Sequence, residues 1–136
     1  MDYNKLMDSR NNQKDFTNFL GIKTIKMSEG YAEGELKIKP EYYNSQGILH
    51  GGLLFTVADT IGGSAARSYG KQVVTVNANM EYLAAGENVE TLYVYAKTLQ
   101  HGNRISRYQV ELYDQTKKLL ATGNFTYYST GREINV

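Results

Sequence analysis

The sequence predicts an α+β domain in which a curved antiparallel sheet wraps one long central helix. Three features of the pattern lead there: a strand-like hairpin comes first, one strongly apolar helical segment follows, and four strand-like runs close the chain. With 136 residues, the chain has the size of a single domain built on one continuous core.

Residues 1–20 read as an N-terminal helical segment, polar with apolar positions at Leu6, Met7, Phe16, Phe19 and Leu20, a spacing that suits a helix docked by its end. The main domain is expected over residues 21–130. Ile22 and Ile25 lead to Gly30, after which Ala32, Gly34, Leu36 and Ile38 alternate with Tyr31, Glu33, Glu35 and Lys37, the signature of a hairpin with one buried face. Pro40, the only proline, stops that strand, and residues 41–47 are rich in turn formers. Residues 50 to about 69 are apolar on nearly every side, which predicts a wholly buried helix. Gly62 and Gly63 each cost about 1 kcal/mol relative to alanine there, so close approach of surrounding backbone is the expected compensation. Runs 73–83, 89–100, 104–113 and 118–128 are β-branched or tyrosine-rich with short breaks between them, which predicts four strands in a consecutive meander. Residues 131–136 are expected to form a fraying tail.

Charge and composition exclude several classes. Lys and Arg number 15 against 14 Asp and Glu, so the net charge of +1 gives no field that would gather nucleic acid or an anionic membrane. The sequence has no cysteine and only two histidines, His50 and His101, which points to no disulfide, no metal and no cofactor of its own. The start lacks the basic and apolar regions of a secretory signal, and the longest apolar stretch is interrupted by polar residues and glycines. A soluble cytoplasmic protein is the expectation.

The run Asn44-Ser-Gln-Gly47-Ile-Leu-His50-Gly51-Gly52, followed by Asp59 after six further residues, resembles the N-x-x-G-x-x-H-G-G-(x)6-D signature of hotdog-fold thioesterases related to the phenylacetate-pathway enzyme. The resemblance covers about residues 20 to 130, and the order of hairpin, helix and strands agrees with it. It implies a hydrolase that cleaves acyl-CoA thioesters, so that coenzyme A enters as part of the substrate, and that assembles as a homodimer or a dimer of dimers, a homotetramer. At the matching positions it implies Asp59 as general base or nucleophile, Gly51 as backbone donor to the thioester carbonyl, and Asn44 and His50 as supporting polar groups. A hydroxyl from the strand after the helix often supports the acid, and Thr75 is the candidate. Tyr82 stands in a segment that lacks the proline relatives carry shortly after that tyrosine, which affects the turn.

The residue types suit the chemistry. Hydrolysis needs an acceptor for a water proton, or a nucleophile, and a donor where negative charge develops on the carbonyl oxygen. The first turn of a helix leaves N–H groups unpaired at the positive end of the dipole, and Gly51 and Gly52 fall there. Gly51 and Asp59 lie eight residues apart, about 12 Å along a helix, whereas both must reach one reacting centre. The expectation is an active site shared between two subunits across a twofold axis.

Each residue also has a plainer reading. Asp59 can be a structural carboxylate held by neighbouring donors, His50 a hydrogen-bonding residue at the helix start, and Asn44 and Gly47 turn residues. Thr75 can be an ordinary strand threonine, and the Gly62-Gly63-Ser64 segment can serve close packing or a substrate channel. For the nucleotide end of coenzyme A, Lys97, Gly102, Asn103 and Arg104 are the candidates, beside His101, with Arg67 near the helix end. Phe55, Leu54 and Tyr82 are candidates for the acyl pocket. Of twelve tyrosines, Tyr93, Tyr95, Tyr108, Tyr113, Tyr127 and Tyr128 fall in strands and read as half-buried cross-strand partners. The competing function is a hotdog protein that binds or senses acyl-CoA without hydrolysis. Dehydratase chemistry would need a histidine paired with an acid near the helix, and none follows Asp59 before His101.

Overall fold

The structure, a computed structural model, describes residues 1–136. Its elements in chain order are α1 (Tyr3–Asn12), α2 (Phe16–Leu20), β1 (Lys23–Ser28), β2 (Tyr31–Lys37), a short 3-10 turn (Pro40–Tyr42), α3 (Gly51–Arg67), β3 (Lys71–Tyr82), β4 (Thr91–His101), β5 (Ile105–Tyr113) and β6 (Leu119–Glu133). The six strands form one antiparallel sheet in the order β1-β2-β4-β5-β6-β3, and α3 packs across its concave face, which is the hotdog arrangement.

Alternation writes the core. In β4 the residues Leu92, Val94 and Ala96 point inward and are fully buried, while Tyr93, Tyr95 and Lys97 point to the outer face. In β2, Ala32, Gly34 and Leu36 do the same opposite α3. Gly34 carries the closest approach: a Cβ there would come within 2.6 Å of Ile61 Cγ1 and 2.9 Å of the Lys23 carbonyl oxygen. The helix can sit this deep because that strand position has no side chain.

The sequence pattern is corrected in several places. β3 does not join the meander; it pairs with β6 at the far edge, and β2 pairs with β4. The long helix emerges at the opposite side of the sheet, so the strand that follows it pairs where it emerges, and residues 83–90 carry the chain back. α3 is not wholly buried in one protomer. The sheet covers one side, leaving Phe55 37% exposed and Gly52, Thr56, Asp59, Thr60 and Gly63 open or half-open along the other.

The N-terminal segment is two helices rather than one, broken before Asp15, whose side chain caps α2 by accepting from the Asn18 N–H. α1 packs along β1 and buries Leu6, whereas Phe16 and Phe19 of α2 are 63% and 80% exposed. Arg10, only 7% exposed, ties the segment together by donating to Thr17, Asn18 and the Ile22 carbonyl. β6 runs to Glu133, into the stretch expected to be a tail, where Glu133 pairs with Lys71 of β3. Tyr108 and Tyr127 are core residues rather than half-buried ones, while Tyr93, Tyr95 and Tyr113 are half-buried on the outer face. No helix is long and apolar enough to cross a membrane.

Gly34→Ala is expected to destabilise the fold by about 2 kcal/mol, because both Ile61 and the β1 backbone must yield. Urea denaturation reads this as a lowered midpoint; an unchanged midpoint would show that α3 is not seated by that contact.

Candidate active site

A loop, one helix and two paired strands assemble the polar groups. The loop before α3 is closed by Asn44, whose Oδ1 accepts from the Gln46 N–H at 2.9 Å and the Ile48 N–H at 3.1 Å. Gly47 completes that turn with a φ of 75°, a left-handed conformation that suits glycine. The Asn44 carbonyl is thus part of a hairpin-like turn, and Asn44's side-chain oxygen is spent on the loop.

His50 is the N-cap of α3. Its Nδ1 accepts from the Gly52 N–H at 2.9 Å, so that nitrogen is unprotonated, and its carbonyl accepts from Leu53 and Leu54. The Gly51 N–H has no acceptor among these bonds. It is left as a donor at the positive end of a 17-residue helix. Tyr82 closes over this turn by donating from its hydroxyl to the Gly51 carbonyl at 2.9 Å. A cleft of about 310 Å³ opens beside it, lined by Gly51, Leu54, Tyr82 and Leu83.

Asp59 lies two turns further along α3, on its open flank. Its Oδ1 accepts from Thr75 Oγ1 at 2.8 Å and from the Tyr127 hydroxyl at 3.1 Å, and Oδ2 makes no hydrogen bond within the chain. The two donors have one origin. Thr75 of β3 and Tyr127 of β6 are direct cross-strand partners, so their side chains leave the same face of the sheet toward α3. The ladder shifts register right after Thr75, a bulge that leaves Val76 unpaired beside the site. Tyr127 also lies 2.9 Å from the Asp59 carbonyl oxygen.

Gly62 explains why this hydroxyl reaches the helix. A Cβ at Gly62 would lie 2.6 Å from the Tyr127 oxygen, so the compensation for this glycine is a tyrosine side chain, not the backbone contact its cost suggested. Ser64 bonds to Thr24 at 2.8 Å in the buried interior, which assigns this part of the helix to packing. Burial, and then the charge of Asp59, hold the Tyr127 hydroxyl well above its ordinary value, so it stays protonated and donating.

The nucleotide candidates divide. Gly102, Asn103 and Arg104 line a cleft of about 320 Å³ together with Lys71, His101 and Tyr127. His101 stacks on Tyr69 with centroids 3.7 Å apart and meets Ser106 Oγ at 3.1 Å. Lys97 belongs instead to a cleft on the outer face among Tyr31, Tyr93 and Tyr95, and Arg67 lies half-buried near Arg10. Neither is brought together with Arg104. Phe55 packs on Phe125 with centroids 5.4 Å apart. Tyr127 is the site residue that sequence reading missed as more than a strand tyrosine; its two-residue offset from Phe125 on an alternating strand was the available signal that it faces the helix.

Comparison with known proteins places these residues in context. Residues 46–121 match the family model of the thioesterase superfamily. Acyl-coenzyme A thioesterase PaaI of Escherichia coli is 31% identical over 102 residues, 75% of this chain and 73% of the relative. The E. coli PaaI structure superimposes with a TM-score of 0.89 at 26% identity, over 98% of this chain and 97% of that one. A Streptococcus mutans protein bound to acetyl CoA matches with a TM-score of 0.83 at 25% identity, over 91% of this chain and 100% of that one. A hypothetical thioesterase of Streptococcus pneumoniae, 27% identical with a TM-score of 0.79 over 84% of this chain and 94% of that one, has been solved with an aspartate replaced by alanine. Its threonine 16 residues further on has been replaced likewise, the separation between Asp59 and Thr75.

Tyr108 and Tyr127 set an alkaline limit on stability. Burial pushes Tyr108 up to about 12, and its hydroxyl makes no hydrogen bond of normal geometry within the chain. Both hydroxyls stay neutral in the fold while the unfolded chain ionises near pH ~10. Their contribution is therefore complete below that pH and lost as pH rises through the folded values. The denaturation midpoint should fall steadily above pH ~10, and less steeply in Tyr108→Phe; a flat profile to pH ~12 would contradict the burial of these groups.

Proposed function

This chain belongs to the thioesterase superfamily, it is a thioester hydrolase, and from that membership we propose that it hydrolyses acyl-CoA to the free acid and coenzyme A. The observation that carries the reading is Asp59: a carboxylate with one oxygen held by two hydroxyls and the other free on the open side of α3. Its setting differs from that of a carboxylate serving a turn: Asp59 stands on the half-open flank of α3, whereas Asp114, whose Oδ1 likewise takes every donor, is buried in a closed turn.

In this reading the free Oδ2 either takes a proton from an attacking water and passes it on to the departing thiolate, or attacks the thioester carbonyl carbon itself to give a mixed anhydride that water then hydrolyses to the free acid and the Asp59 carboxylate. Negative charge then gathers on the carbonyl oxygen. The Gly51 N–H and the helix dipole meet it, the carbon–sulfur bond breaks, and the thiolate of coenzyme A leaves. His50 supports this donor by occupying the neighbouring Gly52 N–H and fixing the first turn, and Asn44 supports it by holding the loop that leads in. Thr75 supports the acid.

The two halves belong to different subunits. Gly51 and Asp59 share a helix eight residues apart, so one protomer holds them about 12 Å from each other. A twofold partner running antiparallel brings each Gly51 to the other subunit's Asp59. The edge strand β3 supports such pairing: Val74 and Val76 are 50% and 53% exposed and Leu83 just beyond is 53% exposed, an apolar edge that a single soluble protomer would not leave bare. The cleft at Arg104, with Lys71 and His101, suits the phosphates of the nucleotide, and the cleft at Gly51, Leu54 and Tyr82 suits the thioester end. A dimer of dimers through the tyrosine-rich outer face belongs to the same proposal.

Thiol release from a panel of acyl-CoA thioesters tests the reading. The wild-type chain should release free thiol, and Asp59→Ala should lower kcat by about three orders of magnitude while the fold is retained. Binding of acyl-CoA without thiol release, indifferent to Asp59→Ala, would reverse it in favour of a non-hydrolytic binder.

A further inference from the structure

We propose that Tyr127 is a positioning residue for the reaction, fixing which oxygen of Asp59 is reactive, and that Gly62 is the residue that lets it do so. The inference rests on the reading of Asp59 given above and adds to it.

A carboxylate has two chemically equal oxygens and turns freely about its terminal torsion unless something distinguishes them. Here the distinction is complete. Oδ1 takes both hydroxyl donors, Thr75 at 2.8 Å and Tyr127 at 3.1 Å, and Oδ2 takes none. Two donors approaching Oδ1 from neighbouring strands fix the plane of the carboxylate as well as its rotation, which a single donor cannot do. The undonated Oδ2 keeps the greater share of negative charge and is the better base or nucleophile.

Of the two donors, Tyr127 is the rigid one. It is 2% exposed, stacked beside Phe125 with centroids 6.4 Å apart and set edge-on to Tyr108 at 5.6 Å, so its oxygen is placed by a packed ring. Thr75 stands on the exposed edge strand, beside the bulge at Val76. The Tyr127 hydroxyl also has acceptors for both charge states of the acid. Its single proton goes to the charged Oδ1 when Asp59 is ionised, and can turn to the Asp59 carbonyl oxygen, 2.9 Å away, when the carboxyl has taken up a proton. The hydroxyl thereby keeps an acceptor on both sides of a proton transfer, and it holds the carboxylate while that group is ionised. The groups facing this pair are Asp59 and Gly62 from α3, Tyr108 from β5 and Thr75 from β3, with Lys71, His101 and Arg104 lining the cleft that Tyr127 borders. Gly62, one turn after Asp59, is the space the hydroxyl occupies: a Cβ would meet the Tyr127 oxygen at 2.6 Å, yet the next nearest atoms, Val110 Cγ2 and the Tyr127 ring, only at 3.3 and 3.4 Å.

Kinetics of Tyr127→Phe, Gly62→Ala and the double variant, with Asp59→Ala as reference, decide the matter. The substrate is whichever acyl-CoA in the panel is turned over fastest. Tyr127→Phe removes the hydroxyl and keeps the ring, so kcat should fall about tenfold with KM within about twofold of wild type. Gly62→Ala should reproduce that loss by displacing the hydroxyl. In the double variant the collision partner is gone, so the alanine should cost no further activity and should raise Tm relative to Tyr127→Phe alone, as alanine does in a helix. An unchanged kcat in Tyr127→Phe, or losses that multiply in the double variant, would overturn the assignment. Should Tyr127→Phe not fold, Gly62→Ala alone decides, a loss in kcat at constant KM supporting the assignment and an unchanged kcat overturning it. An inactive Asp59→Ala beside a fully active Tyr127→Phe would remove Tyr127 and leave the thioesterase reading intact. A fully active Asp59→Ala would remove both.

Discussion

The distance between Gly51 and Asp59 governs everything else about this protein. Both lie on α3, and a straight helix keeps residues eight apart about 12 Å from each other whatever the rest of the chain does. In the proposed mechanism the donor for a developing oxyanion and the carboxylate for its attack are thus on one rigid rod, too far apart to meet. The surrounding fold reads as a device for making that rod rigid, displaying one flank of it, and offering an edge through which a second rod can be brought alongside.

Rigidity comes from contacts that leave no slack. Gly34 lets Ile61 sink to the level of the β2 backbone, and Gly62 lets the Tyr127 hydroxyl lie against the helix. The display comes from the sheet's curvature, which covers the side of α3 carrying Val57, Ala58, Ile61 and Ala65 and leaves Phe55, Thr56, Asp59 and Thr60 on the other. The edge is β3, which contributes Thr75 inward to the acid and presents Val74 and Val76 at the sheet's border. In the proposed dimer one strand would therefore serve both the carboxylate and the association.

Much of this was legible in the sequence, and what was not has a physical reason. The hairpin and the single helix follow from local periodicity, which needs no knowledge of partners. The pairing of β3 with β6 does not, because which strands become neighbours depends on where the long helix delivers the chain. Asp59 and Gly51 could be picked out by motif and Thr75 through the family resemblance, whereas alternation from Phe125 turns Tyr127 toward the helix without matching it to Thr75, because no residue announces the register of that ladder. Asn44 as a turn residue and His50 as a hydrogen-bonding residue at the helix start were legible, while the particular partners, the Gln46, Ile48 and Gly52 N–H groups, emerge only in three dimensions. Charge near a turn was the weakest guide. Lys97 and Arg104 look alike in sequence, but strand alternation sends Lys97 to the outer face and away from the cleft that Arg104 borders.

The most direct test of the shared site is subunit mixing. Chains carrying Asp59→Ala and chains carrying Asn44→Ala, each impaired alone, are unfolded together in equal amounts and refolded, and thiol release is measured. Half of the resulting dimers are mixed, and each mixed dimer holds one intact pairing of Asp59 with a sound helix entrance. A site divided between subunits should recover about a quarter of the wild-type rate. A rate no higher than the average of the two variants measured separately would mean that each protomer works alone.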